Sequence, residues 1–299
     1  MKYSVIIPVK DEQENIKPLI DKIKEVLKDY EIIFIDDGSI DDTYEEILKY
    51  DVKCIKFRRN YGQTAAMAAG FKYATGDIII SMDGDLQNSP EDIPNLLSVL
   101  DEGYDMVCGW RRNRYDPIMK KIISKAANWF GKKVTGIKIH DSGCSLKVYR
   151  KEVVKNIKIF GELHRFIPAI AHISGFSVGE IIVSHHPRIH GKTKYNFIRV
   201  FKGLLDILFV RFWGSFSTKP MHFFGGISIL QFFLSFLIFI EQIYKAIFIV
   251  GRLQIGPLLL FSAMLFLNAT LCLLFGFLSE IMIRTYYKDE EPYKIESFK

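Results

Sequence analysis

The C-terminal third of the sequence contains two long segments without a single Asp, Glu, Lys or Arg. The first covers residues 220–240, 21 positions, and the second covers residues 253–279, 27 positions. About 20 apolar residues are enough for a helix to cross the hydrocarbon core of a bilayer. The sequence therefore predicts two transmembrane helices, at residues 220–250 and 255–284. The alternative, a buried helical hairpin in a soluble protein, would need core helices of unusual length.

Two crossings return the chain to the side of the membrane from which it entered. Basic residues such as Lys219 and Arg284 flank this side, whereas Lys245 and Arg252 lie near the opposite turn and weaken the asymmetry. The positive-inside rule then places residues 1–194 in the cytoplasm, together with a tail at residues 285–299. Residues 195–219 mix Lys, Arg and aromatic side chains with an apolar face, which predicts an amphipathic juxtamembrane helix at the interface.

The charge and the cysteines exclude several classes of protein. A net charge of +6 is too small to indicate nucleic-acid binding, and no stripe of basic and aromatic residues is present. It suits phosphate groups or an anionic membrane surface instead. The four cysteines show neither zinc-site nor disulfide spacing, as expected of a reduced, cytosol-facing domain.

The N-terminal domain alternates short apolar runs with segments of helical periodicity. Apolar runs end at residues 9, 36, 57 and 82, and a polar cluster follows each of them. This rhythm predicts an α/β fold with a mostly parallel, Rossmann-like sheet and helices on both faces. Ligands of such sheets bind beyond the carboxyl ends of the strands. The polar clusters at residues 10–14, 36–42, 60–63 and 83–87 are therefore expected to line one site.

The sharpest of these clusters is the acidic pair Asp83 and Asp85, directly after the apolar run DIIISM. Two carboxylates one residue apart can direct oxygens at one hard cation, and Mg²⁺ or Mn²⁺ would complete its shell with substrate phosphates. A divalent cation stabilises the charge of a departing nucleoside diphosphate. The alternative is a pair of ordinary turn or cap residues. The same alternative applies to Asp36 and Asp37, which follow the run EIIFI and could accept hydrogen bonds from a base or ribose.

Four motifs in fixed order carry a family resemblance: VIIPVKDEQENI, FIDDGSIDDT, RRNYGQTAAMAAGF and ATGDIIISMDGDLQNSPEDIP. Together they resemble the family 2 glycosyltransferases of GT-A fold. Within that family the chain is similar to polyprenyl-phosphate glycosyltransferases, and the similarity continues through DSGCSLKVYRKEVV, LHRFIPAI and HHPRIHGKTKYN. The Q-x-x-R-W signature of processive relatives is missing at His164, so polymer synthesis is not expected.

The resemblance implies roles for individual residues. The nucleotide sugar would be bound by Pro8, Glu12, Asp36, Asp37, Gln63 and Asp83, with Arg188 and Lys194 as cations that close over the diphosphate. The metal ligands would be Asp83, Asp85 and Gln87. The lipid phosphate would be bound by Arg111, Lys120 and Ser124. Catalysis would rest on Asp85 and Asp141. Gln63 stands where many relatives have Lys, and Asp141 is either a general base or an orienting group.

These roles imply an inverting transfer of one hexose-type sugar from a nucleotide diphosphate sugar to a polyprenyl phosphate, with Mg²⁺ or Mn²⁺ as cofactor. The expected partners are the nucleotide sugar, the polyprenyl phosphate and the lipid bilayer, without nucleic acid; the oligomeric state is open, with a homo-oligomer as one alternative. Three rival hypotheses remain: a transferase with a diacylglycerol or saccharide acceptor, a non-catalytic membrane adaptor, and a channel built from the two spans.

Overall fold

The structure is a computed structural model that describes residues 2–112, 135–187, 198–216, 219–253 and 255–286. The chain divides into two compact units, Met1–Arg211 and Phe212–Lys299. The amphipathic helix expected at residues 118–134 lies outside the described residues, as does the tail beyond residue 286.

The first unit is built on one seven-stranded sheet. Its strands are β1 (Tyr3–Val9), β2 (Tyr30–Asp36), β3 (Lys53–Lys56), β4 (Ile78–Ser81), β5 (Met106–Trp110), β6 (Lys147–Arg150) and β7 (Val178–Ile182). The helices between them are α1 (Gln13–Val26), α2 (Thr43–Ile47), α3 (Gln63–Tyr73), α4 (Ile93–Asp101), α5 (Lys151–Asn156) and α6 (Ile167–Ile173). Two 3₁₀ turns, Pro90–Asp92 and Leu163–Phe166, precede α4 and α6.

The strand order is β3-β2-β1-β4-β6-β5-β7. Strands β1 to β4 are mutually parallel, β5 and β7 are parallel to each other, and β6 runs antiparallel to its neighbours β4 and β5. The predicted mostly parallel sheet is therefore confirmed. Strand β6 was not predicted. Because it runs against the others, it begins at the edge where they end.

Both faces of the sheet are covered by helices. This is required because successive side chains of a strand point to opposite faces, and those of β1 are apolar on both. Val5 and Ile7 of β1 face one hydrophobic core together with the apolar sides of α1 and α4, and Ile6 faces a second core with α3, α5 and α6. Helix α3 lies so close to the sheet that a Cβ on Gly70 would be 2.3 Å from Ile6 Cγ2. Only glycine fits this position without displacing the helix.

The predicted juxtamembrane segment forms helix α7 (Ile198–Phe216). The second unit is a helical hairpin of α8 (Pro220–Lys245), extended by a π-helical turn at Ala246–Val250, and α9 (Pro257–Tyr286). The chain reverses at Gly251, whose φ of +74° is unfavourable for residues with a side chain. The ion pair expected between Glu241 and Lys245 is present at 2.6 Å.

The hairpin packs through a seam that recurs every seven residues in both helices. A Cβ on Gly276 would be 2.8 Å from Met221 Sδ, Ser228 Oγ donates to the Ala269 carbonyl at 2.8 Å, and Ser235 Oγ donates to the Ser262 carbonyl at 2.8 Å. Ser262 returns a hydrogen bond to the Ser235 carbonyl at 2.9 Å. Small residues and hydroxyls at heptad spacing are typical of helix pairs that associate in lipid, where hydrophobic burial does not drive association.

Most large side chains outside this seam are exposed. Ile229 and Phe248 are each 71% exposed, and Met264 is 68% exposed. An apolar surface of this extent is not stable in water. Pro220–Val250 and Pro257–Ile283 are both long and apolar enough to cross a membrane. Two apolar helices of membrane-spanning length are therefore confirmed, and they indicate membrane association.

Candidate active site

The predicted polar clusters meet at one edge of the sheet. The loops after β1, β2, β3 and β4 emerge at this edge because these strands are parallel. The antiparallel strand β6 adds residues 141–146, which precede it, and β7 adds residues 183–187, which follow it. Together with the segment after β5, which begins at Arg111, these make seven segments, of which the sequence identified the first four by their order alone.

The loops after β1 and β2 are held together by reciprocal hydrogen bonds. Asp11 N donates to Ser39 Oγ at 3.0 Å, and Asp11 Oδ1 accepts from Ile40 N at 2.9 Å. Glu12 N donates to Thr43 Oγ1 at 2.9 Å, which fixes the start of α1. This arrangement leaves Glu12 and the half-buried Pro8 at the site edge beside the end of β2.

Asp36 and Asp37 have different surroundings. Asp36 is fully buried; its Oδ1 accepts from Ser39 N at 2.9 Å, and its Oδ2 accepts no hydrogen bond within the described ranges. Asp37 accepts from the Tyr61 and Gly62 amides at 2.6 and 2.9 Å, one on each oxygen. Asp36 thus stabilises its own turn, whereas Asp37 fixes the loop that leads into α3.

The acidic loop after β4 has a constrained backbone. A Cβ on Gly84 would be 2.6 Å from Val9 Cγ1, so the loop requires glycine between its two carboxylates. Leu86 has a φ of +59°, a conformation that is rare for a residue with a branched side chain. Asp85 is buried, and its Oδ1 accepts from Gln87 N at 3.1 Å. Such strain persists only where the surroundings enforce it, and it often marks functional loops.

Gln63 links helix α3 to this loop. Its Nε2 donates to Asp83 Oδ1 at 2.7 Å. A lysine here would neutralise the Asp83 charge, but an amide only orients it. The acidic pair therefore keeps more net negative charge than it would have beside a lysine at position 63.

A second strand-like segment packs along the acidic loop. Asn88 and His185 form an isolated antiparallel bridge, and His186 N donates to the Gln87 carbonyl at 2.8 Å. Asn88 Nδ2 also donates to Ser145 Oγ at 2.6 Å. The acidic loop is thus attached on one side to the segment after β7 and on the other to the segment before β6.

Arg111, directly after β5, forms a bidentate ion pair with Asp141. Its Nε donates to Asp141 Oδ2 at 2.8 Å and its Nη2 to Asp141 Oδ1 at 3.1 Å, with side-chain exposures of 13% and 4%. Although burial opposes the charged form, the pKa of this guanidinium is raised by Cys144, Asp141 and, more weakly, Asp83.

The buried thiols near this pair are not nucleophiles at neutral pH. Burial raises the pKa of Cys144 to about 11 and that of Cys108 higher still. A thiolate is required for nucleophilic attack. Cys144 instead contacts Asn88 Oδ1 through its sulfur at 3.8 Å. These two thiols are therefore not covalent catalysts at neutral pH.

The acidic loop fits a cation that is shared with a substrate. Within the described ranges, no group of three or more His, Cys, Asp or Glu side chains is close enough together to hold a metal ion. A complete protein cage is thus missing there. Mg²⁺ is usually held by one or two carboxylates with water and phosphate oxygens as the other ligands, and Asp83 and Asp85 match this donor set.

Several predicted residues are not among those described: Lys120 and Ser124, assigned to the lipid phosphate, and Arg188 and Lys194, assigned to the diphosphate. Three further residues at this edge were not predicted. Asn88 connects two loops, Lys147 donates from a buried position to the Cys144 carbonyl, and Glu180 accepts backbone hydrogen bonds beside Asp141. A charged residue inside an apolar strand was the available signal for Lys147 and Glu180.

Comparison with known proteins identifies the family to which this chain belongs. The profile of the family described as Glycosyl transferase family 2 matches residues 4–158. A dodecaprenyl-phosphate galacturonate synthase from Rhizobium johnstonii is 38% identical over 304 aligned positions, which cover 97% of this chain and 90% of the relative.

Solved structures show the same fold at low sequence identity. Glucosyl-3-phosphoglycerate synthase from Mycobacterium tuberculosis, crystallised with Mn²⁺, UDP-glucose and phosphoglyceric acid, matches with a TM-score of 0.57 and 17% identity; the match covers 70% of this chain and 79% of that one. The UDP complex of the same enzyme matches with a TM-score of 0.55 and 16% identity, covering 71% and 79%. The expected GT-A fold is confirmed.

Proposed function

Because the chain belongs to glycosyl transferase family 2, we propose that it transfers one sugar from a nucleoside diphosphate sugar to the phosphate of a polyprenyl phosphate. The observation that carries this proposal is the extent of the match to a polyprenyl-phosphate sugar synthase. It covers 97% of this chain and therefore includes the two apolar C-terminal helices as well as the catalytic unit. A lipid acceptor explains why these parts are joined in one chain.

The donor side of the site is the acidic loop with the loops after β1 and β2. Asp83 and Asp85 would hold Mg²⁺ or Mn²⁺, and the cation would stabilise the negative charge that the nucleoside diphosphate gains as it leaves. Gln63 orients Asp83 through its 2.7 Å hydrogen bond. Glu12, Asp36 and Asp37 line or support the nucleoside pocket.

The acceptor side of the site is the Arg111–Asp141 pair. Arg111 supplies a cation for the lipid phosphate, and the bidentate contact with Asp141 fixes the direction of its guanidinium. A phosphate monoester is already largely ionised near neutral pH, since its second pKa is about 6. Little proton removal is needed, and Asp141 orients Arg111 rather than acting as a base.

The reaction is a single inverting displacement. An oxygen of the lipid phosphate attacks the anomeric carbon while the bond from that carbon to the diphosphate oxygen breaks, and the nucleoside diphosphate leaves on the opposite face. The protein contributes alignment and a preorganised field of charges and dipoles. No covalent intermediate with the protein is formed, in keeping with the protonated thiols of Cys108 and Cys144.

We further propose that the hairpin anchors the enzyme as an integral membrane protein whose catalytic unit faces the cytoplasm. Lys219 precedes the first span and Arg284 follows the second, so a basic residue flanks each cytoplasmic end; Lys245 and Arg252 near the opposite turn weaken this asymmetry. Confinement to the bilayer surface raises the effective concentration of an acceptor that cannot leave the membrane.

Transfer in nanodiscs tests the proposal directly. Purified protein is reconstituted with undecaprenyl phosphate and Mn²⁺ and is given radiolabelled UDP-glucose, UDP-galacturonic acid or GDP-mannose in separate reactions. The expected product is an acid-labile, anionic, lipid-linked sugar formed from one of these donors. Because the named relative makes a galacturonate product, the uronic acid donor is the first to test.

The rivals give different results in the same assay. Transfer only when diacylglycerol or an oligosaccharide replaces the prenyl phosphate would establish a different acceptor class. Nucleotide binding without transfer to any acceptor would indicate a non-catalytic adaptor. Either result would contradict the proposed function.

A further inference from the structure

We propose that Glu180 is a positioning residue for the acceptor side of the site. This inference rests on the proposed function, because it concerns how the Arg111–Asp141 pair is held ready for the lipid phosphate. Glu180 lies in the middle of β7, opposite Cys108 of β5, and its side chain is 9% exposed. It touches neither the acidic loop nor Arg111 through any hydrogen bond that the described residues show.

The Glu180 carboxylate holds the backbone of the turn that carries Asp141. Its Oε1 accepts from His140 N at 2.7 Å and from Asp141 N at 2.9 Å. Its Oε2 accepts from His140 N at 2.9 Å and lies 2.8 Å from His140 Nδ1. Two successive amides and one imidazole thus converge on a single carboxylate, a contact that fixes both the position and the direction of the turn.

The same turn is held from a second side by aromatic stacking. The rings of His140 and Trp110 lie 4.2 Å apart at an angle of 16°. Trp110 ends β5, and Arg111 is the next residue. The imidazole is therefore placed between the carboxylate of β7 and the indole of β5, and it couples both strands to the turn.

Asp141 transmits this placement to Arg111. Its amide is bound by Glu180, while its carboxylate receives the Arg111 guanidinium at 2.8 and 3.1 Å. A shift of the turn by a fraction of an ångström would rotate the guanidinium, since a bidentate contact tolerates little misalignment. Glu180 thus determines the direction of the acceptor cation without contacting it. Precise placement of this kind controls reactivity, because small displacements of a reacting group reduce the rate strongly.

Replacement of Glu180 by Gln tests the charge and the acceptor capacity with almost no change in volume. Glutamine has one acceptor oxygen, and its amino group would face the N–H donors of the turn. Glu180→Gln is expected to raise the KM for undecaprenyl phosphate or lower kcat about 10- to 100-fold, while the KM for the nucleotide sugar changes less than about twofold.

Glu31 provides a matched control. It is also a nearly buried glutamate that accepts several hydrogen bonds, but it lies near the start of β2, where Lys53 at the start of β3 and Thr75 before β4 bind it at the opposite edge of the sheet. Glu31→Gln is expected to lower the melting temperature and to leave both KM values unchanged. Hydrogen exchange adds a readout that does not depend on activity: amides 140 and 141 should lose protection in Glu180→Gln and keep it in Glu31→Gln.

The outcomes distinguish failure of the positioning role of Glu180 from failure of the proposed function. If the wild type transfers sugar but Glu180→Gln matches it in both KM values and in kcat, or raises both KM values equally, the positioning role is wrong. Unchanged protection of amides 140 and 141 would also overturn it. If the wild type transfers no sugar to any prenyl phosphate, the proposed function fails first, and the exchange experiment still decides whether Glu180 holds the turn.

Discussion

The Arg111–Asp141 ion pair permits a decisive test of whether Asp141 orients a side chain or acts as a general base. The perturbations are Asp141→Asn, Arg111→Ala and the double variant. Asparagine keeps the size of the side chain, but it offers one acceptor oxygen and presents an N–H group to a guanidinium that can only donate. Arg111→Ala removes the bidentate partner of a carboxylate that is 4% exposed in the wild type.

The size of the effect follows from the contacts. The pair contains two charge-assisted side-chain hydrogen bonds, at 2.8 and 3.1 Å. Hydrogen bonds to charged groups contribute about 1.5–3 kcal/mol each. A loss of about 3 kcal/mol in transition-state stabilisation corresponds to a roughly 150-fold lower kcat/KM, at 1.36 kcal/mol per factor of ten. We expect this loss for either single variant, measured with respect to the lipid acceptor.

The double variant distinguishes the two roles. If Arg111 and Asp141 act as a unit, removing the second partner costs little once the first is gone, so the double variant also loses roughly 150-fold. If they act independently, the losses multiply to more than about 10⁴-fold. Initial rates in nanodiscs give these values, and isothermal titration with UDP shows whether each variant retains a folded donor site.

The pH dependence supplies the second criterion. A general base is needed less as the acceptor ionises by itself, so the defect of Asp141→Asn would shrink above the phosphate pKa of about 6. An orienting residue predicts a defect that stays constant from about one pH unit below to about two units above that phosphate pKa. Multiplicative losses together with rescue at high pH would refute the orienting role of Asp141.

Three further predictions address other parts of the molecule. Asp85→Ala should reduce transfer at least about 1,000-fold even at saturating Mn²⁺, and so should EDTA with the wild type; near-normal rates in either experiment would contradict the cation site. Gln63→Lys should raise the Mn²⁺ concentration for half-maximal activity by about tenfold, because the ammonium would neutralise Asp83; an unchanged Mn²⁺ titration would argue against this pairing. Although burial opposes ionisation, hydrogen bonds from Lys53, Ser4 and Thr75 lower the pKa of Glu31 from 4.5 to about 2. The ionised carboxylate therefore contributes fully to folding stability above pH 4.5, and this contribution is lost as the pH falls towards 2. Urea unfolding from about pH 7 to 3 should show that the free energy of unfolding falls less steeply with pH for Glu31→Gln than for the wild type.

Local patterns were sufficient to predict most of the sheet and its polar edge. The strands β1 and β2 each contain a continuous apolar stretch, residues 5–9 and 32–35, as a parallel strand buried on both faces requires. The sequence predicts a helix at residues 64–74 and a strand at 104–108, and the bounds of α3 and β5 differ from these by one and two residues, because periodicity does not determine where a helix or strand ends. The helix α2 was missed since its five residues are too few for periodicity to be detected.

The sequence predicted which residues lie at the edge of the sheet, but not which groups each of them contacts. The contact expected between Asp37 and a nucleotide stays a prediction, whereas the hydrogen bonds by which its two oxygens hold the loop before α3 were not foreseen. Gln63 was recognised as a departure from the family, but its partner Asp83 lies 20 residues away in the sequence and is found only in the folded chain. Hydrogen bonds between loops depend on strand order, which the sequence of one chain does not reveal.

The amino-acid sequence by itself determined the two membrane-length helices, the parallel β1 to β4 and the acidic pair at their carboxyl edge. Each of these depends on hydrophobicity or turn chemistry within about 20 neighbouring residues. Only the tertiary structure decided that the antiparallel β6 lies between β4 and β5, that Asp141 meets Arg111, and that Glu180 holds the turn that carries Asp141. The contacts of Asp141 with Arg111 and with Glu180 join residues 30 and 39 positions apart. Burial of both faces of the sheet favours one strand order, and that order brings Arg111, Asp141 and Glu180 to neighbouring strands. Each buried charge then needs an ion-pair or hydrogen-bond partner, because an unpaired buried charge is costly.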